Sequence, residues 1–471
     1  MTLKLICCQK RVVTMKKKST SEKLAKYISK IKYEELQTKT IEKVKLCILD
    51  LFGSHFAGYQ LKDCNPVKKY ILSLKSERQA TVWSLGLKTS FTEAAFANSA
   101  ISHVTVFDDM HGNTSSHYGS IVIPTAFAVG EYIPKCSGKD LICAIVCGYE
   151  TGIRVGTSMM PSNFAKTGFR PSGTFGVFAS AVTTGKLFKF DNKQLVNTLG
   201  LSANFGIGLM AFVYEGTTDL MFHNGLACRN GILSSILVKN GTKSPKYIFE
   251  SEGGFCKTYG GKEEDIKLLV DNLDNKYKIE EVYFKPISAC AFVQSAAVAA
   301  LEIANIDNFN VDQISKIKVR IFSHGKNYPG LDCRGPFVGV MQAQMSNPFT
   351  IASILIKKSI SFNDYKKYND PKVYALAKKI DIIEDKIAQK KWPLEQIVNI
   401  EVLLKDGTKY RAVSKNPHFL DDSEVVNKCR SNLGAAIGLN ACEKFIETVM
   451  SIEKVKEINK LTKIISDSIE K

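Results

Sequence analysis

Long apolar runs are missing from this chain of 471 residues. The best candidates, residues 140–148 and 291–304, fall short of the roughly 18 apolar positions that a membrane-spanning helix needs, and read as buried helices of a soluble protein. No C-x-x-C pair occurs among the 13 cysteines; the closest approach is Cys143 and Cys147. That excludes the usual zinc-ribbon and thioredoxin layouts, and scattered, odd-numbered thiols point to a reducing cytoplasm. A P-loop is also absent, because Gly185-Lys186 lacks a glycine at the required distance upstream. Neither an internal repeat nor a low-complexity tract is present. Histidine is scarce, with 7 in all.

Acidic residues are too few to balance the lysines and arginines, which leaves a formal charge of +18. Residues 1–18 carry six of those charges and no acid, so +12 is left for the rest of the chain. The surplus is spread out, with no zinc-finger spacing, RNA-recognition aromatics or basic recognition helix, and a solvated lysine-rich surface accounts for it better than nucleic-acid binding. The field could still attract an anionic substrate. The basic segment 1–18 lacks the apolar stretch and cleavage site of a secretory signal, and is expected to be a disordered extension. Met15, followed by three lysines, competes with Met1 as the true start.

Ser19 to Glu22 has the form of a capping box and opens a helix through about Ile31. Helical apolar spacing then predicts helices over 40–56, 91–106, 124–132, 138–157, 172–187, 192–208 and 218–240, many of them rich in Ala, Gly and Ser. The character changes near residue 280. Residues 313–324 alternate as a strand, and 398–404 and 408–414 flank Asp406-Gly407 as a hairpin. Helices are predicted between and after them at 290–304, 342–357, 371–380 and 423–433, with an amphipathic tail over 441–470. The expected class is mainly α. The expected division is 1–18 extension, 19–275 helical domain, 276–415 smaller α+β domain, and 416–471 returning to the helical domain.

Three candidate sites carry chemistry. His103, His111 and His117 flank Asp108-Asp109 where a buried helix opens into a polar loop, 107–119. Adjacent carboxylates raise one another's pKa and an imidazole exchanges protons near neutrality, so the loop suits general acid/base work. The competing account has Asp109 capping a turn beside ordinary polar histidines. Asp and His together also suit a metal, but the spacing matches no familiar ligand set and no metal is expected. Arg170 precedes Pro171-Ser172-Gly173 at a helix start, where its guanidinium and free backbone N–H groups could face one anion. Lys285 stands at the suspected domain junction ahead of an apolar helix; it either binds a carboxylate, moves a proton, or is simply solvated. Cys290 reads as a buried, inert thiol.

Taken in order, the Phe107-Asp108-Asp109 loop, GYETGIRVG (148–156), RPSGTFG (170–176), HNGLACRNG (223–231) and the Lys285-Pro286 segment with Cys290 resemble the MmgE/PrpD family. The resemblance covers nearly the whole chain from about residue 20. It implies a large all-helical domain built from both ends of the chain, with a smaller α+β lid domain inserted. It further implies a homodimer, an active site between the domains, and cofactor-independent elimination, epimerisation or decarboxylation of small di- or tricarboxylates. Asp108, Asp109, His117 and Lys285 match family positions expected to be catalytic, with Arg170, His111, His223 and Gln294 as expected substrate ligands. Departures include Val106 and Tyr118 in the loop, Arg170 where decarboxylase-like members have histidine, and a lysine missing near Asp219-Leu220. Gln294 stands where a histidine, and Phe349 where a tyrosine, is expected. Those losses also admit a non-catalytic relative that binds a metabolite or partner.

Overall fold

The computed structural model describes residues 18–469 other than 163, 274, 275 and 393, so the basic extension lies almost wholly outside the described residues. Helices dominate. The longer ones in the first part are α1 (Thr20–Lys30), α2 (Thr38–Gly58), α3 (Phe91–His103), α4 (Gly119–Tyr132), α5 (Gly138–Met159), α6 (Pro171–Leu187), α7 (Asn192–Ser202) and α8 (Leu220–Lys239). Each sequence-predicted helix of this part is found, with shifted ends. The Ser19–Glu22 capping box is formed, the Ser19 hydroxyl taking the Glu22 N–H and the Glu22 carboxylate taking the Ser19 N–H. α3 ends at His103, three residues short of the expected end, because the chain turns at Val104 and Val106 takes φ 51°.

α4 starts five residues before the predicted start at Pro124, which lies inside the helix. A proline in the second turn removes only one backbone bond, so it marked the start poorly. No helix among the described residues is long and apolar enough to cross a membrane, and every described cysteine is free.

The second part mixes helices with a four-stranded sheet. Its helices are α9 (Gln294–Ala304), α10 (Val340–Met345), α11 (Asn347–Lys357) and α12 (Pro371–Ala377). A short hairpin of β1 (Ala80–Val82) and β2 (Leu87–Thr89) belongs to the first part. The sheet proper has β3 (Ile314–Ile321), β4 (Ile380–Glu384), β5 (Val398–Leu404) and β6 (Lys409–Ser414), in the order β4-β3-β5-β6. β5 and β6 form the expected hairpin, with Gly407 at φ 90° in its turn, and β3 pairs antiparallel with β5. β4 was not expected. It pairs parallel with β3, Ile317 opposite Ile380, and it begins where a helix was predicted to run on to residue 380. The predicted helix 342–357 is two helices, because the Ser346 hydroxyl caps a new start two residues before Pro348.

The chain closes with α13 (Asp422–Ile437), α14 (Leu439–Met450) and α15 (Asn459–Ser466); Gly438 at φ 82° separates α13 from α14, and the expected tail over 441–470 is interrupted between Met450 and Asn459. The apolar core falls into two clusters. One joins α1–α8 to α13–α15. The other gathers α9–α12 and the sheet, together with Val106, Phe212, Val213 and Leu220 from the first part.

The GYETGIRVG segment is the wall on which the histidine loop rests. Gly152 and Gly156 share one face of α5, and a Cβ on Gly152 would stand 2.5 Å from the Tyr118 ring. A Cβ on Gly156 would stand 2.7 Å from Thr114. Tyr118 then donates to the Gly152 carbonyl at 2.8 Å. Farther along, buried Arg154 pairs with Glu150 at 2.6 Å and donates to the Asp271 and Asn272 carbonyls. Gly152→Ala should gain about 0.5–1 kcal/mol of helix propensity elsewhere. Here the overlap with Tyr118 is expected to cost about 1–3 kcal/mol instead, read as a lower urea midpoint. An equal or higher midpoint would show that Tyr118 yields freely.

Candidate active site

Past α3 the backbone cannot continue as a helix, and residues 105–107 present their carbonyls to buried surroundings. Each is met by a side chain from far away in sequence. The Thr105 carbonyl accepts from Gln344 Nε2 at 2.9 Å and from the Ser288 hydroxyl. The Val106 carbonyl accepts from Lys285 Nζ. The Phe107 carbonyl accepts from Lys428 Nζ at 2.6 Å; that ammonium also pairs with Asp50 at 2.7 Å and sits 3.7 Å above the Phe107 ring. A β-branched residue at φ 51° is strained, and these bonds hold Val106 there.

Hydrogen-bond partners assign the protons of the histidines that follow. Asp108 is fully buried and faces His103 Nδ1 at 2.9 Å and His117 Nδ1 at 3.4 Å. Burial works against its charge, but the two imidazoles opposite hold its carboxyl well below the usual range. A carboxylate only accepts, so His103 Nδ1 carries hydrogen. Its Nε2 then receives Arg170 Nη2 at 2.6 Å, which requires a lone pair there. His103 is therefore neutral with both nitrogens engaged, in keeping with burial pushing it down to about 3.

His117 differs. Its Nδ1 lies 2.9 Å from the Asp109 carbonyl, which can only accept, so Nδ1 carries the hydrogen and Nε2 keeps a bare lone pair. Burial lowers the His117 pKa, with Asp108 pushing the other way, and the ring is neutral at pH 7. Asp109 itself turns away: its carboxylate accepts from the Gly119 N–H at 2.9 Å and from the Tyr149 hydroxyl at 2.5 Å. There it meets the first free N–H of α4, the capping role. Burial and then Asp50 push it up to about 7.

His117 and Arg170 line a small cavity of about 40 Å³, together with Tyr328, Cys290, Phe292 and Met345 among others. Arg170 is braced by Asn224 at 2.7 Å through Nη1. Of the expected residues, then, the structure brings His117 and Arg170 into the wall and sets Asp108 directly behind them.

The others stand apart from the wall. Lys285 is fully buried with its ammonium on the Val106 and Ala289 carbonyls; burial depresses its pKa to about 8. His111 points outward, Nδ1 to Thr114 and Nε2 to Glu281 at 3.2 Å, in a separate cleft of about 530 Å³ that shares Phe292 with the cavity. His223 packs beside Phe212 with Nδ1 unpaired, and burial lowers it to about 4. Gln294 spends its amide on the Ile287, Ala289 and Cys290 carbonyls, bracing the turn after Lys285.

Sequence reasoning passed over several residues. His103 was visible as a neighbour of the acid pair but carried no role, and Tyr149 and Asn224 lay inside motifs already singled out. Asp50, Lys428, Gln344 and Tyr328 gave no local signal, since each meets its partners only across long sequence separations.

His103, Asp108 and His117 present potential ligand atoms within 4.8 Å of one another. They do not suit a metal: both His103 nitrogens are committed, and the Arg170 guanidinium adjoins one of them. The group is a chain of polar contacts from the Arg170 guanidinium through His103 and Asp108, ending in the 3.4 Å approach of Asp108 to His117 Nδ1.

The sequence matches the MmgE/PrpD N-terminal domain over residues 22–266 and the MmgE/PrpD C-terminal domain over residues 287–454. It is 22% identical over 473 residues to cis-aconitate decarboxylase of Aspergillus terreus, covering 96% of each chain. Identity to the cis-aconitate decarboxylase of Homo sapiens is 24% over 473 residues and 95% of each chain. For the Mus musculus protein of the same name it is 26% over 470 residues, 95% of this chain and 93% of the relative. With the N-terminal and C-terminal domain types matched in order over most of its length, the chain belongs to the MmgE/PrpD family.

Proposed function

We propose that this protein is a cofactor-independent lyase of the dehydratase or decarboxylase type, acting on a small carboxylic acid by moving a proton next to a carboxylate. The observation that carries the reading is the bare His117 Nε2 in a cavity wall that also holds Arg170. The curated relatives, named as cis-aconitate decarboxylases, support the same class of chemistry.

In this reading Arg170 receives the substrate carboxylate. His117 Nε2 takes the proton from the adjoining carbon, and the electron pair passes into the carboxylate, where the guanidinium holds the charge. The imidazolium so formed faces the Asp108 carboxylate and the Asp109 carbonyl through Nδ1. Loss of a neighbouring hydroxyl then completes an elimination. In a decarboxylation the C–C bond breaks first and carbon dioxide leaves, and the carbanion takes a proton that His117 Nε2 has first drawn from solvent, so that route starts from the imidazolium. In the abstraction route, return of the proton to the other face of the carbon would be an epimerisation. Lys285 acts from behind, by fixing the Val106 carbonyl and balancing Asp108.

The proposal extends to architecture. Residues 276–415 act as a lid domain over a helical domain made from 19–275 and 416–471, and the protein works as a cytoplasmic homodimer. The two separate cores support the lid, as does a cavity wall drawn from both segments, with His117 and Arg170 from 19–275 and Cys290, Phe292 and Tyr328 from 276–415.

Incubating the protein with hydroxy, amino and unsaturated carboxylic acids in D₂O, cis-aconitate included, tests the reaction directly: deuterium should enter carbon next to a carboxylate. Binding without any exchange would favour a metabolite-binding relative. His117→Gln is expected to lose about 10²–10⁴-fold in turnover while still binding substrate, and undiminished turnover would remove His117 from the mechanism.

The pH profile follows from the same assignment. For proton abstraction the neutral imidazole is the working form and burial lowers its pKa from 6.5, so elimination should gain activity as pH rises, with the midpoint of the rise below 6.5. It should fall again near pH 8, where Lys285 sheds its proton. An acid limb centred above 6.5 would point to another base.

A further inference from the structure

We infer that the substrate carries one carboxylate on an otherwise apolar body, an inference that rests on the cavity being the site of the proton transfer proposed above. A carboxylate taken out of water costs several kcal/mol unless a cation or a full set of donors meets it. Among the described residues, the cavity wall contains one permanent cation, Arg170. Lys285 and Lys428 lie outside the wall and are committed, Lys285 to the Val106 and Ala289 carbonyls and Lys428 to Asp50 and the Phe107 carbonyl, and Lys278 of the neighbouring cleft is paired with Glu281. Arg170 spends Nη1 on Asn224 and the Leu220 carbonyl and one Nη2 hydrogen on His103, which leaves the second Nη2 hydrogen and the Nε hydrogen, donors for one carboxylate and no more.

The remaining wall has the matching character. Val106, Met110, Phe212, Leu220, Phe292 and Met345 supply apolar surface. The Tyr328 hydroxyl has a thioether, Met210 Sδ at 3.9 Å, as its contact, and a thioether is a weak acceptor. That hydroxyl is free to donate to the second oxygen of a carboxylate held by Arg170. A second or third carboxylate would lie against Phe292 and Met345 with no positive partner, in about 40 Å³ of space.

The test compares short unsaturated and 3-hydroxy acids bearing one, two or three carboxylates, cis-aconitate among the last. Binding is followed by calorimetry and exchange by NMR in D₂O. The monocarboxylic acids are expected to bind at least about tenfold more tightly than their dicarboxylic counterparts, a difference of about 1.4 kcal/mol. Equal or tighter binding of the di- or tricarboxylates overturns the inference, and if those acids also exchange deuterium the proton-transfer reading survives it. Preferential binding of monocarboxylates without exchange does the reverse. Binding of no acid at all overturns both.

Met345→Lys supplies a sharper arm, since it exchanges one unbranched side chain for another and adds a cation to the apolar wall. Folded variant, judged by its circular dichroism, should shift preference toward dicarboxylates by about tenfold. An unmoved preference counts against the inference; if the variant fails to fold, the native comparison decides. Tyr328→Phe should weaken monocarboxylate binding while leaving the melting temperature near that of the native protein, and unaltered binding would remove the hydroxyl from the site.

Discussion

Three carbonyls in a row, those of Thr105, Val106 and Phe107, each held by a side chain from a distant segment, are the constraint on which the site depends. The residues that follow can face one another only because the chain is turned sharply there. Left-handed backbone at a β-branched residue costs about 1–3 kcal/mol, and a hydrogen bond to a charged donor returns about 1.5–3 kcal/mol. Two ammonium groups and an amide therefore outweigh the strain at Val106. The same bonds take buried carbonyls that no helix could serve and satisfy them, which a well-packed interior requires.

The loop's electrostatics follow from that placement. Asp108 sits among imidazoles and is kept ionised; Asp109, one residue on, is pushed up by burial and by Asp50, against the pull of the backbone N–H and the phenol that it accepts from. Adjacent carboxylates thus hold opposite positions, one in the site and one in the scaffold. Arg170 adds a division between the histidines. By filling His103 Nε2 it makes that ring a fixed link, and His117 is left with the one open lone pair of the chain of contacts.

Much of this was legible in the sequence, and the limits have physical causes. Capping residues and apolar spacing located the helices, because both are local properties of a few turns. Pro124 misled, since a proline early in a helix sacrifices little and need not mark its first residue. The strand at Ile380–Glu384 escaped because its partner, Ile317 onward, is far away in sequence, and its own residues continue a helical pattern. In the site, His117 and Arg170 stood out as polar residues where apolar periodicity stopped. Lys285 stood out too, but its sequence position could not reveal that its ammonium faces a backbone carbonyl. His111 and His117 look alike in the sequence; the pairings of Met110 with Tyr283 and of His111 with Ser116 accompany the outward turn of His111 toward Glu281.

Lys428 has a consequence for how the molecule comes into being. Ribosomes extend a chain from its N-terminus at about 5–20 residues per second. Asp50 and the Phe107 carbonyl emerge early, and the ammonium that neutralises one and tethers the other is made hundreds of residues later. Until then a buried carboxylate has no counterion, and the loop that carries His117 has one of its tethers missing. The helical core can collapse during synthesis, but the loop acquires its working shape only when α13 docks against α2. Completion of the loop's tethers therefore waits on the C-terminal helices of the same chain.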